Sequence, residues 1–479
     1  MKKVHAVMIF VSALLLAAAL AYGGVALYAG QATVPKGTLL AGWDIGRMNI
    51  AAVRSELDRK LAELEAVPLT LRIGETEGPS LTLTLTLKEA GVSYQAESFL
   101  NGLDRLSEGG VWERAKARYS FEKNWALTAG WTDTALRSRL NAGWESSTFG
   151  DPVDATRRIT ADDRIVYTPG RTSLRIDWTR AELTLSGVIP KDFSRLDTLK
   201  TAGLAADLPL RTAQPDVTLQ SLQDQGVARK IMQFSTSLGS SGPGRSYNVE
   251  SAAKAVNDTL LPPGAVFDYD KAIEKAENEY GFREAPVIVN GTLQPGVGGG
   301  ICQVSSTLYN TVLRTGLEIV ERRNHSLPVN YLPKGQDATF SRGSINFRFR
   351  NTTGHYLLIR AAVSGRSLTV KLFGTFPSNV SYSVESRTVE ILAPGRRTVT
   401  DSSLPPGASR TLRKGRTGYI VETYRTKFVR GEAVERVRVS RDTYRPQQAI
   451  VAVGPGGANS SGAQDSERPL VEDGIRSNE

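Results

Sequence analysis

Cysteine is nearly absent from this chain: its 479 residues hold one, Cys302, and only three histidines, His5, His325 and His355. A single thiol closes no internal disulfide, so packed cores must carry the fold. With no paired His or Cys at ligand spacing, no metal site is legible and no cofactor is expected. The 45 glycines match neither G-x-x-x-x-G-K-[ST] nor G-x-G-x-x-G, so the phosphate-cradling loops of nucleotide enzymes are missing. Charge is only mildly one-sided, with 59 Lys and Arg against 49 Asp and Glu, or +10 at pH 7. The basic residues are scattered, and no compact tract of them alternates with aromatics. That argues against nucleic acid as a partner and suits the neighbourhood of an anionic envelope. All six tryptophans precede residue 179 and are expected to pack cores.

What is present begins with an apolar run. Lys2 and Lys3 lead into residues 6–29, which carry no charge. A helix of about 20 apolar residues crosses a bilayer, so this run can be a single-pass membrane anchor with the main body outside the cell. Ala19-Leu20-Ala21 has the small-x-small form of a signal peptidase site, which keeps a cleaved signal peptide as the alternative. The apolar run continues through Val25, Ala26, Leu27 and Tyr28, which favours the anchor.

The length calls for several domains. After the anchor or signal (1–30), residues 31–112 read as a small α/β unit. Asn49 can cap a helix over 50–64 carrying Val53, Leu57, Leu61 and Leu64, and residues 81–87 alternate Leu and Thr as a half-buried strand does. Residues 113–225 repeat the style, with a helix over 134–142 and a strand over 164–167 before the Pro169-Gly170 turn. Residues 226–376 read as a mixed α/β domain in which 345–350, 356–363 and 368–373 form an antiparallel meander. Residues 377–455 are strand-rich, and 456–479 lack periodicity and read as a disordered tail. The fold class is therefore multidomain α+β, with an N-terminal transmembrane helix, two small α/β units, a mixed α/β domain and a mainly β module. Nothing in the sequence specifies an oligomeric state.

The candidate site lies where Gly298-Gly299-Gly300-Ile301-Cys302-Gln303 runs into a helix marked by Val304, Leu308 and Val312, with Gly316 placed to cap its end. Cys302 falls at the helix start, where unpaired N–H groups and the dipole favour a thiolate. Nucleophilic chemistry also needs a base and a group that orients it. His325 and Asp337 follow in the order Cys, His, Asp, on or near successive strands, and are the candidate base and orienting group. Gly298, Gly299 and Gly300, with Gln303 and Ser305, are the candidate substrate-binding positions, because N–H groups exposed there can hold a carboxylate. The plainer alternative is a small buried Cys packed beneath a close-approach glycine turn.

These residues also carry a resemblance. Tyr247-Asn248-Val249, Leu261-Pro262-Pro263-Gly264, Gly298-Gly299-Gly300-Ile301-Cys302-Gln303-Val304-Ser305-Ser306-Thr307, Arg323-Asn324-His325-Ser326, Asp337-Ala338-Thr339 and Phe347-Arg348-Phe349-Arg350-Asn351 together resemble the VanW family. Asp154-Ala155-Thr156 and Pro169-Gly170 are similar to the peptidoglycan-binding domain found ahead of VanW domains. Leu404-Pro405-Pro406-Gly407, Gly415-Arg416-Thr417-Gly418 and Val453-Gly454 are similar to the five-glycine (G5) module. The resemblance implies a cell-envelope role, and together with the apolar run it leads to the expectation of a membrane-anchored protein that binds peptidoglycan or other wall polymers, with a link to glycopeptide resistance. The resemblance carries over no chemistry; the Cys, His and Asp, read from their placement, lead to the expectation of a peptidase, amidase or transpeptidase acting on stem peptide. The alternative is a non-catalytic wall-binding scaffold.

Overall fold

Asn49 ends an extended segment and its side-chain oxygen accepts the Ala51 N–H at 2.9 Å, which starts the helix Ile50–Glu65 where the sequence places it. In this computed structural model, which describes residues 2–74, 81–289, 291–455 and 471–477, the chain forms two compact units. The first comprises residues 1–154 and 170–216, the second 155–169 and 217–479.

In the first unit the helix Lys2–Ala29 is long and apolar enough to cross a membrane. The strand Leu81–Thr86 pairs antiparallel with Pro68–Ile73, which pairs parallel with Leu204–Leu208, and Val92–Gln95 pairs with Thr128–Trp131. One apolar core runs from Val34 to Ala206. Strands from residues 113–154 and 170–216 complete the sheets of the earlier stretch, so these parts of the two α/β units expected over 31–112 and 113–225 interleave in one body, while 155–169 and 217–225 belong to the second unit. The helix expected over 134–142 is two helices, Thr134–Arg139 and Ala142–Phe149, divided where Asn141 caps the second by accepting the Trp144 N–H at 3.0 Å.

The second unit opens with the hairpin Thr156–Ile159 and Ile165–Thr168. A four-stranded antiparallel sheet follows, ordered Arg229–Ser237, Ser367–Gly374, Leu357–Ser364, Thr259–Leu261. The helices Pro243–Val256 and Ile301–Leu313 pack on it around an apolar core. The expected meander is only partly present. Leu357–Ser364 and Ser367–Gly374 are neighbours, but Arg348–Arg350 lies in a separate sheet between Val266–Asp268 and Glu318–Glu321. There Phe347 and Phe349 stack on one another and bury their rings beside Phe267 and Tyr309, which satisfies the alternation without the expected neighbour. Asn351 then turns the chain, its side-chain N–H₂ reaching the carbonyls of Leu261 and His355 at 2.9 and 2.8 Å.

Beyond residue 377, the strands Val380–Leu392, Gly418–Val429 and Glu432–Tyr444 form an antiparallel sheet. Arg396–Thr400, Ala449–Val453 and Ser409–Arg413 form a second, mixed sheet, in which the first two strands run parallel and the last two antiparallel. The stretch expected to be a disordered tail corrects the sequence reading over 471–477. Val471–Glu472 and Arg476–Ser477 pair with the two strands of the hairpin Glu284–Val289 and Thr292–Val297. Residues 456–470 of that expected tail lie outside the described residues.

Candidate active site

Gly299 and Gly300 bring the chain into the helix Ile301–Leu313 through a space no side chain could share. A Cβ on Gly299 would lie 2.4 Å from the Pro286 carbonyl oxygen, and Gly300 has φ +108° with Arg245 and Val249 against it. Every side chain of that helix is buried, rather than a single apolar stripe. The polar residues fit because they bond backbone. Thr307 and Thr311 donate to the carbonyls four residues back at 2.6 and 2.9 Å, and Asn310 donates to the Gln336 carbonyl at 2.7 Å.

Cys302, in the first turn, is fully buried. Its sulfur accepts the Phe340 N–H at 3.1 Å. The His325 backbone N–H donates to Asp337 Oδ2 at 2.7 Å, and the ring Nδ1 meets the same oxygen at 2.8 Å. Nε2 of His325 is buried without a hydrogen-bond partner. A His325 ring nitrogen, the Cys302 sulfur and a carboxylate oxygen of Asp473 all lie within 4.8 Å of one another. Cys302, His325 and Asp337 thus converge. His325 and Asp337 were expected on or near successive strands, but they share the loop after the strand Glu318–Glu321. The helix grips that loop, with Ser305 donating to the Ala338 carbonyl at 2.7 Å and Ser306 accepting the Ala338 N–H at 2.9 Å.

The expected substrate-binding residues divide. Gly298, Gly299 and Gly300 shape the turn. Gln303 lines a cleft of about 900 Å³, though its side chain is already bonded to Thr236, the Ser237 carbonyl and Arg245 at 2.8–3.0 Å. Ser305 is turned into the core and serves the loop instead.

Four residues that the sequence reading did not single out complete the site. Tyr444 donates its hydroxyl to Asp337 Oδ1. Arg322, almost fully buried, bonds the Asp337 carbonyl oxygen through Nε and Asp442 through Nη1, both at 2.6 Å. Asp473 caps the helix: one carboxylate oxygen accepts the N–H groups of Cys302 at 2.9 Å and Gly300 at 3.2 Å. Glu472 accepts the N–H and hydroxyl of Ser326 at 3.0 and 2.6 Å. Only the short signature Val471-Glu472-Asp473-Gly474, an apolar residue before an Asp-Gly turn, hints at the last two.

Electrostatics follow from these partners. Burial opposes the Asp337 carboxylate, but the bonds to His325, the charge of Arg322 and the Tyr444 hydroxyl outweigh it and hold its pKa down to about 2. Burial likewise opposes the His325 imidazolium, and the bond to Asp337 with the adjacent sulfur keeps it well above its ordinary value. The Cys302 thiol is pushed up by burial and then by Asp473, with His325 pulling the other way. The thiolate expected from the helix N-terminus is not favoured here, first because burial disfavours a charge on the sulfur and then because the Asp473 carboxylate sits on the N–H groups that would stabilise it.

A helix-start sulfur, an imidazole nitrogen with no hydrogen-bond partner and a buried carboxylate behind it therefore lie together in an α+β domain. Residues 244–373 match the family described as VanW like protein, and residues 383–456 match the G5 domain, so the chain carries a VanW domain followed by a G5 domain. Uncharacterized protein YoaR of Bacillus subtilis (strain 168) is 42% identical over 147 residues, which are 31% of this chain and 48% of that protein. Vancomycin B-type resistance protein VanW of Enterococcus faecalis (strain ATCC 700802 / V583) is 28% identical over 149 residues, 30% of this chain and 54% of that protein. The chain spans about half the length of the curated relatives it matches. A solved structure titled IgA1 Protease G5 domain structure is 28% identical, covering 16% of this chain and 88% of that one with a TM-score of 0.14.

Proposed function

We propose that this is a cell-envelope protein, held at the membrane by the helix Lys2–Ala29, whose G5 domain and the unit before the VanW domain bind peptidoglycan or its glycans and whose VanW domain acts on stem peptide. The observation that carries the reading is the convergence of Cys302, His325 and Asp337 from positions up to 35 residues apart in the sequence. In that reading the thiol proton of Cys302 first passes to Nε2 of the neutral His325 imidazole, giving a thiolate–imidazolium pair in which Asp337 and the adjacent sulfur favour the charged ring, and the sulfur then bonds to a peptide carbonyl carbon. The C–N bond then breaks, the departing amine takes that proton, and an acyl thioester remains. Water resolves the thioester to an acid, or an amine resolves it to a new amide. Asp337 holds the imidazole by its Nδ1 side. The relative named as a vancomycin resistance protein supports a link to glycopeptide resistance.

The burial of the sulfur and its raised pKa favour a second reading, a wall-binding scaffold in which Cys302 only packs. Defined muropeptides incubated with the purified outer region and weighed by mass spectrometry separate the two. A change by one water, or by an added amine, that Cys302→Ser abolishes supports the enzyme. Retention on sacculi with no mass change, in wild type and Cys302→Ser alike, leaves the scaffold.

A further inference from the structure

The segment 471–477 lies in the site as a ligand would. Val471–Glu472 adds antiparallel to the strand Glu284–Val289 and Arg476–Ser477 to the strand Thr292–Val297, so both edges of one hairpin take up extended chain. Open strand edges are natural acceptors for peptide strands. Between the two pairings the chain crosses the helix N-terminus, and there Asp473 sets its carboxylate on the N–H groups of Gly300 and Cys302. Asp473 adopts φ +57°, a left-handed conformation that Asp tolerates better than most residues. A Cβ on Gly474 would lie 2.3 Å from a Val287 methyl, so only glycine passes at that point.

Two further observations point to a ligand. The buried Nε2 of His325 has no partner, and a His325 ring nitrogen lies within 4.8 Å of the Asp473 carboxylate. On one side of the segment Asp473 borders the cleft of about 900 Å³, with Arg245 and Arg416 in its wall. On the other, Glu472 borders a cleft of about 670 Å³ with Arg323, Arg413 and Arg445. Arginine-lined walls around carboxylates seated on backbone N–H groups select an acidic chain.

We propose that this groove is a docking site for an extended acidic peptide, with a carboxylate seated on the N–H groups of Gly300 and Cys302, and that residues 471–477 are its built-in occupant. The proposal rests on the reading that the VanW domain acts on wall peptides, and it names the feature of those peptides that the site holds.

The test compares the full chain with two variants, one ending at residue 455 and one carrying Glu472→Gln and Asp473→Asn in the full chain. The probe is a fluorescent peptide copying residues 471–477. The truncated chain is expected to bind it, and the full chain to bind it about tenfold more weakly or worse, because its own segment competes at high effective concentration. The same peptide with Gln and Asn at the two acidic positions should lose about tenfold or more, the usual scale for charge-assisted bonds. Cys302 should react with a small alkylating agent faster in both variants than in the parent. A truncated chain that keeps its circular dichroism spectrum but binds no peptide overturns the proposal. So does equal alkylation in all three proteins. So does recovery of the full chain with one equivalent of a divalent metal that Asp473→Asn removes, for Asp473 would then be a metal ligand. If the peptide binds but muropeptides neither compete nor react, the groove stands and the enzymatic reading falls. If muropeptides are turned over while the peptide is ignored, the reverse holds.

Discussion

The central helix of the VanW domain and the sheet of the G5 domain are built on opposite terms. In Ile301–Leu313 every side chain is buried, whereas Val380–Leu392 buries none and Glu432–Tyr444 buries only Asp442 and Tyr444. Burial in the G5 sheet is concentrated at one end, at Val421, Glu422, Thr423, Asp442 and Tyr444. That end reaches the His325–Asp337 loop. Thr423 donates to the Gly335 carbonyl at 3.0 Å, Tyr444 accepts the Gly335 N–H at 2.7 Å and donates to Asp337, and Asp442 pairs with Arg322. One region supplies apolar mass and the other a polar brace. Buried polar networks are costly to leave half-satisfied, so the brace should be sensitive far beyond its size.

Breaking the brace at its charged centre should have the largest effect. Arg322→Ala leaves Asp442 buried without its cation and Asp337 with His325 alone as cation, and a loss of about 3–5 kcal/mol is expected in urea unfolding. A stability change under about 1 kcal/mol would mean that the network is solvated in solution.

Acid should act next. The Asp337 pKa is depressed from 3.8 to about 2, so its contribution is fully present above about pH 4 and is lost as pH falls through the folded value. At 1.36 kcal/mol per pKa unit, the stability gap between wild type and Asp337→Asn should narrow by roughly 2 kcal/mol between pH 5 and pH 2. A gap that is flat with pH would show that Asp337 is not held by these partners.

Tyr444→Phe removes one hydroxyl from the brace and should cost about 1–3 kcal/mol, the scale for leaving a buried acceptor short of a donor. It should also raise the Asp337 pKa, readable by NMR of the carboxyl carbon. At the other end of the scale, Glu385→Gln on the exposed ribbon should leave the unfolding midpoint unchanged, since Arg387 and Arg436 meet it in solvent. A measurable loss there would place structural weight on the ribbon and blur the contrast.

Much of this was legible in the sequence where the signal is local. The glycine run before Cys302 and the Asn49 cap each act within a few residues, and both helices start where expected. The order of His325 and Asp337 was also readable. What escaped is held by contacts across great separations. Tyr444 lies 107 residues beyond Asp337, and Asp473 lies 171 beyond Cys302, so no periodicity reports either. The expected meander failed for a related reason. Alternation marks which side chains of 345–350 turn inward, but Phe347 and Phe349 can satisfy it against any apolar neighbour. The helix stripe was underestimated because Thr and Asn can bond backbone and be buried beside Val and Leu.

The seat of Asp473 also sets an order of assembly. The sulfur meets Thr339 across 37 residues, but the carboxylate that caps its helix returns across 171. Loop-closure entropy grows slowly, so the longer return costs only about 1 kcal/mol more at equilibrium. Its effect on timing is larger, because distant contacts form late. The pocket around Cys302 should therefore be complete before its occupant arrives, leaving a nearly native state with the helix N-terminus bare. Refolding followed by stopped-flow alkylation should catch that interval as a burst of thiol reactivity that rises with the core and decays as the segment docks.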